Sequence, residues 1–141
     1  MVEAKPKVLI TGITGYVGSQ VTHYFLKDGG FRVKGTVRDP SNAERLAPLK
    51  KAFGEDLFSQ VELAQADLLD AESLDKAIAG VDYVVHTASP LPIQVPEDEQ
   101  VVIKPAVEGT LAVLRAAHKH KVKRVVITSS GLTITIRKPE N

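Results

Sequence analysis

The sequence predicts a single α/β domain over residues 1–141, three layers thick, with a doubly wound parallel sheet of about five strands. Three observations predict it. Short apolar, β-branched runs alternate with stretches of helical periodicity, the rhythm of a parallel sheet covered on both faces. Glycines, prolines and Asn/Asp/Ser clusters punctuate the boundaries. The first apolar run, Val8-Leu9-Ile10-Thr11, meets Gly12, Gly15 and Gly18 in G-x-x-G-x-x-G spacing, with an amphipathic stretch directly behind it.

Taken in order, residues 8–11 are continuously apolar and read as a buried first strand. A helix should run from Tyr16 to about Lys27, with Val17, Val21 and Phe25 at i, i+4 and i+8 on its inner face and Leu26 widening it. Gly29-Gly30 stops it. Residues 31–37 read as the second strand. In the turn at residues 38–42, Ser41 or Asn42 caps a helix through Arg45 and Leu49. Residues 61–66 read as the third strand. The next helix has Ser73 as cap, Leu74, Ala77, Ile78 and Val81 as inner face, and Gly80 as stop. Tyr83-Val84-Val85-His86 is the fourth strand, followed by a loop holding Pro90, Pro92 and Pro96. The longest helix begins beside Glu97, Asp98 and Glu99, whose charge suits a helix start. Its expected apolar face is Ile103, Ala106, Val107, Thr110, Leu111, Leu114 and Ala117, with Pro105 tolerable in the first turns. Residues 124–128 form the fifth strand, and Thr133-Ile134-Thr135-Ile136 alternates as a strand would.

Bulk properties bound the function. At 141 residues, 43% hydrophobic and 25% charged, the chain has the make-up of one globular domain. A net charge of +1 with both signs interspersed points away from nucleic-acid or anionic-membrane partners. The absence of cysteine excludes a disulfide framework, a thiol nucleophile and a cysteine metal site. Met1-Val2-Glu3-Ala4-Lys5-Pro6-Lys7 has no signal-peptide core and no apolar run is long enough to span a bilayer, which makes the cytoplasm the expected compartment. His23, His86, His118 and His120 lack metal-ligand spacing, so no metal is expected; the last two read as solvated helix-end residues. Tyr83 and Phe25 read as core aromatics.

A glycine triplet between strand and helix places backbone amides and the helix N-terminus against an anion, the pyrophosphate cradle of a dinucleotide-binding Rossmann fold. No Gly-Lys-Ser/Thr follows, which disfavours a nucleotide-triphosphatase loop. Cofactor type turns on the end of the second strand, where NAD sites favour an acid and NADP sites an arginine. The sequence reads Thr36-Val37-Arg38-Asp39, so Arg38 favours NADP through a guanidinium suited to a 2′-phosphate. Arg45 is a second phosphate contact, and Asp39 keeps NAD as the lesser alternative. Both arginines could equally be solvated surface charges, and Asp67 an Asx turn.

Six motifs in register, Thr11-Gly12-x-x-Gly15-x-x-Gly18, Thr36-Val37-Arg38-Asp39-Pro40, Ala66-Asp67-Leu68, His86-Thr87-Ala88-Ser89-Pro90, residues 105–110 and Arg124-Val125-Val126-Ile127-Thr128-Ser129-Ser130, carry a family resemblance. Together they resemble the extended short-chain dehydrogenase/reductase (NAD-dependent epimerase/dehydratase) superfamily, and within it the dihydroflavonol reductase, cinnamoyl-CoA reductase and methylglyoxal or aldehyde reductase group. The resemblance implies that Gly12, Thr14, Gly15, Tyr16, Val17 and Gly18 line the pyrophosphate, that Arg38 and Arg45 read the 2′-phosphate, and that Asp67 and Leu68 flank the adenine. It places Thr87, Ala88 and Ser89 along the nicotinamide-side ribose and makes Ser130 the catalytic serine that holds the substrate carbonyl. It also implies a Tyr-x-x-x-Lys pair as general acid and ribose contact. Tyr16, Tyr24 and Tyr83 all precede Ser130 and none has lysine four residues on. The expectation is thus the cofactor-binding part of an NADP(H)-dependent reductase of small-molecule aldehydes or ketones, inactive by itself. Its open fifth strand predicts marginal stability, self-association or pairing with a relative. A non-catalytic NADP-binding or regulatory module and an NAD-dependent sugar-nucleotide epimerase or dehydratase are the competing readings. The resemblance further implies that the pocket selecting a substrate is built largely from residues outside this stretch, with residues 91–96 giving only one wall.

Overall fold

A computed structural model describes residues 4–92, 94 and 96–135. Eleven elements alternate along these described residues: β1 (Lys7–Thr11), α1 (Tyr16–Asp28), β2 (Arg32–Val37), α2 (Ala43–Phe53), α3 (Glu55–Phe58), β3 (Val61–Gln65), α4 (Ala71–Ile78), β4 (Tyr83–His86), α5 (Gln100–Lys119), β5 (Arg124–Ile127) and α6 (Leu132–Thr135). The strands form one parallel sheet in the order β3-β2-β1-β4-β5. The chain winds outward from β1 to β3, crosses back, and continues from β4 to β5. The expected doubly wound, three-layer α/β architecture is therefore present, with its switch point between β1 and β4.

Two cores follow from the alternating side chains of the buried strands. On one face Val8, Ile10, Val33 and Val37 meet Leu26 of α1 and Leu46, Leu49 and Phe53 of α2. Phe25, Phe31 and Tyr83 extend it through edge-to-face contacts, with centroids 5.0 and 5.9 Å apart. On the other face Leu9 and Val84 meet Leu74, Ala77 and Ile78 of α4 and Val113 and Ala116 of α5.

Several local expectations are corrected. In α1 the buried residues are Gly18, Thr22 and Leu26, while Val21 and Phe25 are half-buried and Val17 is exposed. The helix turns its smallest residue inward because it lies almost on the β1 turn: a Cβ on Gly18 would stand 2.4 Å from the Gly12 carbonyl oxygen. Asp70, not Ser73, caps α4, its carboxylate accepting from the amides of Glu72 and Ser73 at 3.1 Å each. The Ser73 hydroxyl instead donates to the Asp70 carbonyl and accepts the Asp67 amide. Of the two candidate caps of α2, Asn42 is the one used, accepting from Arg45 N at 3.0 Å. The short α3 lies between α2 and β3, where no element was expected.

The largest correction concerns α5. Its buried residues are Gly109, Val113, Ala116 and Ala117, whereas Ile103, Val107, Leu111 and Leu114 of the expected face are exposed. Apolar residues cover more of this helix than one contact can bury. The buried arc is set where Gly109 lies under Leu68, which a Cβ would meet at 2.8 Å. At the helix end His120 is not merely solvated. Its Nε2 lies 3.0 Å from Asp75 Oδ1 of α4, next to Lys119 Nζ at 2.8 Å from Oδ2, and these partners hold the Asp75 carboxyl below the usual range. Residues 132–135 are helical rather than extended, because Ser130 and Gly131 carbonyls accept the amides of Thr133 and Thr135. Ile136 of that expected strand lies outside the described residues, as do Ile93 and Val95 of the loop wall.

Candidate dinucleotide-binding site

The site is built at the carboxyl ends of β1, β2, β3 and β4. Gly12 leaves β1 at φ +68°, a backbone conformation that favours glycine, and a Cβ there would stand 3.0 Å from that of Ala88. Two strands anchor the turn it starts. Thr36 of β2 accepts the Gly12 amide on its hydroxyl at 3.0 Å and the Ile13 amide on its carbonyl at 3.2 Å. The Ile13 side chain is fully buried in the first core. Gly15 closes the turn through its amide to the Gly12 carbonyl at 3.0 Å and then serves as N-cap of α1. It makes no side-chain cap bond, and the first turn holds no acid, so the α1 amides behind it carry the uncompensated positive end of the helix. Thr14, Tyr16 and Val17 stand around this N-terminus, all three exposed.

Two clefts share Arg38, which is exposed just beyond β2, and one of them reaches the turn at Thr14. One, of about 290 Å³, lies between Thr14, Arg38, Asp39, Asn42 and Arg45. The other, of about 390 Å³, is lined by Ala66 and by the charged Arg38, Asp67, Asp70, Glu72 and Lys76. Asp39 is turned away from a free role. Its Oδ1 accepts the Ser41 hydroxyl at 2.6 Å and the Ser41 amide at 2.9 Å, which hold its carboxyl below the ordinary value. Asp67 forms the Asx turn that sequence reasoning offered as its alternative role, accepting the Leu69 amide at 2.9 Å. Leu68 packs over Gly109 and is thereby part of the α5 contact.

On the β4 side, residues 87–89 follow His86 directly. The Thr87 hydroxyl donates to the Thr11 carbonyl at 2.5 Å and lies 2.8 Å from where a Gly18 Cβ would be. Thus β1, α1 and the β4 exit meet with no room for a side chain on the third glycine. Ser130 sits past the end of β5. Its Oγ accepts the Leu132 amide at 3.2 Å and remains exposed. The structure brings Gly12, Gly15, Gly18, Thr87 and Ala88 into one turn-to-turn contact and Arg38, Arg45 and Thr14 to one cleft. Ser130 stands apart, engaged with its own turn.

Sequence reasoning passed over Thr11, Thr36, His86 and Thr110 as site residues. Thr11 and His86 are buried, and Thr11 Oγ1 lies 2.8 Å from His86 Nδ1. The Thr110 hydroxyl of α5 lies 3.5 Å from Nε2. Burial holds the His86 imidazole below its ordinary pKa, which favours the neutral ring. A polar residue ending an otherwise apolar strand was the available signal, since a buried hydroxyl demands partners. Among the described residues no group of histidine, aspartate and glutamate is arranged to hold a metal, and no helix is long and apolar enough to cross a membrane.

The arrangement offers what a dinucleotide needs: an uncapped helix start, a turn that excludes side chains, and Arg38 shared between two clefts, the one at the end of β3 lined by charges of both signs. The comparisons with known proteins agree. Residues 8–135 match the model of the NAD dependent epimerase/dehydratase family. The chain is 45% identical over 140 residues to tetraketide alpha-pyrone reductase 1 of Arabidopsis thaliana, covering 97% of this chain and 41% of that protein. It is 39% identical over 133 residues to dihydroflavonol 4-reductase of Hordeum vulgare, covering 94% and 37%. Among solved structures, yeast methylglyoxal/isovaleraldehyde reductase Gre2 complexed with NADPH superposes with a TM-score of 0.72 at 27% identity, covering 88% of this chain and 37% of that one. The chain thus spans about two fifths of the length of the relatives it matches.

Proposed function

The chain belongs to the NAD dependent epimerase/dehydratase family, and from that premise we propose that it is the NADP(H)-binding part of a reductase of small-molecule aldehydes or ketones. The observation that carries the reading is the shared position of Arg38 between the Thr14–Arg45 cleft and the Ala66–Asp67 cleft, in front of the glycine turn. In this reading the α1 amides and Gly12, Gly15 and Gly18 receive the pyrophosphate, and Arg38 and Arg45 bind the 2′-phosphate. Asp67 and Leu68 flank the adenine, and residues 87–89 follow the nicotinamide-side ribose. Two observations favour NADP over NAD: Arg38 is the cation at the strand end, and one carboxylate oxygen of Asp39 is already engaged by the Ser41 amide and hydroxyl. The likeness to yeast Gre2, which is complexed with NADPH, supports the same choice.

NADPH, when bound, supplies a hydride for a carbonyl carbon. The Ser130 hydroxyl, whose oxygen accepts the Leu132 amide, keeps its proton free to donate to a carbonyl oxygen. A Tyr-x-x-x-Lys pair occurs nowhere in these 141 residues. A positioned general acid is worth about 10²–10⁴ in rate, so these residues by themselves bind cofactor without turning over. The test is calorimetric titration of the purified chain with NADPH and NADH, followed by aldehyde assays. NADPH binding stronger than NADH binding, with no turnover, is expected; binding of neither overturns the reading.

Exposed Val126 and Ile127 on edge strand β5, with the exposed α5 stripe, favour association with a second copy or a longer relative. Size-exclusion with light scattering should show oligomers whose fraction rises with concentration. A sharp monomer that melts cooperatively and binds no apolar dye would overturn this.

A further inference from the structure

The hydrogen bonds around Thr11 can be counted. Its Oγ1 lies 3.0 Å from the Thr87 amide, 3.0 Å from the Ala88 amide and 2.8 Å from His86 Nδ1. A hydroxyl has two acceptor lone pairs and one proton. Both amides can only donate, so they occupy the lone pairs, and the proton is left for the histidine. Nδ1 must then be an acceptor. Counting therefore assigns the ring proton to Nε2, the nitrogen that faces Thr110 of α5.

We propose that Thr11 and His86 are positioning residues of the dinucleotide site: the Thr11 hydroxyl, its proton given to Nδ1 of an Nε2-protonated His86, holds the amides of Thr87 and Ala88 against the glycine turn. The inference rests on the cofactor reading above and adds to it two residues that touch no cofactor. Ala88 is the residue a Cβ on Gly12 would strike, and Thr87 Oγ1 stands with the Gly12 carbonyl where a Cβ on Gly18 would be, so residues 87 and 88 lie directly against the glycine turn and their placement bears on its shape. Thr87 contributes through its own hydroxyl to the Thr11 carbonyl, which locks β4's exit to β1 from both directions. Thr11 and His86 are buried, and solvent cannot substitute for either partner. A His86 protonated on Nδ1 would place three donors on one hydroxyl oxygen and release an amide. Burial, which disfavours the charged ring, works in the same direction.

The first test needs no variant. Nitrogen-15 spectra of histidine-labelled chain at neutral pH should show His86 with a protonated Nε2 and a bare Nδ1; an Nδ1-protonated ring overturns the assignment, whatever the chain binds. The second test compares Thr11→Val, which keeps volume and loses the hydroxyl, with Thr11→Ser, which keeps it. Thr11→Val should weaken NADPH binding by roughly tenfold or more and scramble the His86 tautomer, and Thr11→Ser should restore both. His86→Asn, whose amide oxygen can take the Thr11 proton, should bind NADPH better than His86→Leu. A folded Thr11→Val that binds NADPH like wild type overturns the positioning role. Wild type that binds neither dinucleotide overturns the cofactor reading instead, while its His86 spectrum still decides the hydrogen-bond assignment.

Discussion

Alanine at Gly18 is expected to weaken NADPH binding more than tenfold while the chain remains folded. The new Cβ would stand 2.4 Å from the Gly12 carbonyl oxygen, 3.0 Å from its carbon and 2.8 Å from Thr87 Oγ1. The first two are backbone, so no side chain can rotate away, and α1 or the turn must move by several tenths of an ångström. Two energies compete. Alanine in a helix is favoured over glycine by about 1 kcal/mol, and overpacking against a fixed surface costs about 1–3 kcal/mol. The net loss of stability is therefore small or moderate. Binding suffers more, because what moves is the loop that presents the amides. Gly29→Ala is the matched comparison: it caps α1 at φ +68° with open space around it, so it loses backbone comfort without displacing the turn. Thermal melting should register both variants, and NADPH titration only Gly18→Ala. Wild-type affinity in a folded Gly18→Ala would show that the turn does not meet the cofactor.

Arg38→Ala is expected to cost about 10–100-fold in NADPH affinity and to leave NADH affinity within about twofold, since hydrogen bonds to a charged phosphate contribute about 1.5–3 kcal/mol. Arg38 is exposed, so the substitution leaves the two cores intact. The difference between the two dinucleotides is the 2′-phosphate alone, which makes the paired titration a direct reading of that contact. The NADPH preference of the wild type should also decline with salt, as partly exposed charges are screened. Arg45→Ala, in the first turn of α2, should lower NADPH affinity less. Equal losses for NADPH and NADH would assign Arg38 to the shared part of the cofactor, and no loss for either would make it a surface charge.

Much of the fold was legible because apolar pattern and turn chemistry are local. The first strand at residues 8–11, the helix stop at Gly29 and the helix beginning at Tyr16 follow from neighbouring residues. Legibility failed where two local solutions were close in energy. Ser73 and Asp70 are both good caps, and the helix starts from the one that leaves the other free to tie Asp67. The alternation at 133–135 looked extended, yet among the described residues no strand pairs with it. Those residues close their hydrogen bonds within a helical turn, onto the carbonyls of Ser130 and Gly131. In the site, the glycines and Arg38 were readable from type and spacing. Thr11 and His86 were not, because their role depends on β1 and β4 lying side by side, 75 residues apart in the chain.

By itself the sequence determined the α/β class, the strand-turn-helix with its three glycines, the family, and the absence of a Tyr-x-x-x-Lys pair. These are properties of residue type and of short-range order. Only the tertiary structure decided which arc of α5 is buried, why Gly18 admits no side chain, and what the Thr11 hydroxyl holds. The reason is steric and polar rather than statistical. A helix with apolar residues around much of its circumference has no preferred rotation until Gly109 meets Leu68, and a buried hydroxyl has no assigned partners until another strand is parallel to its own.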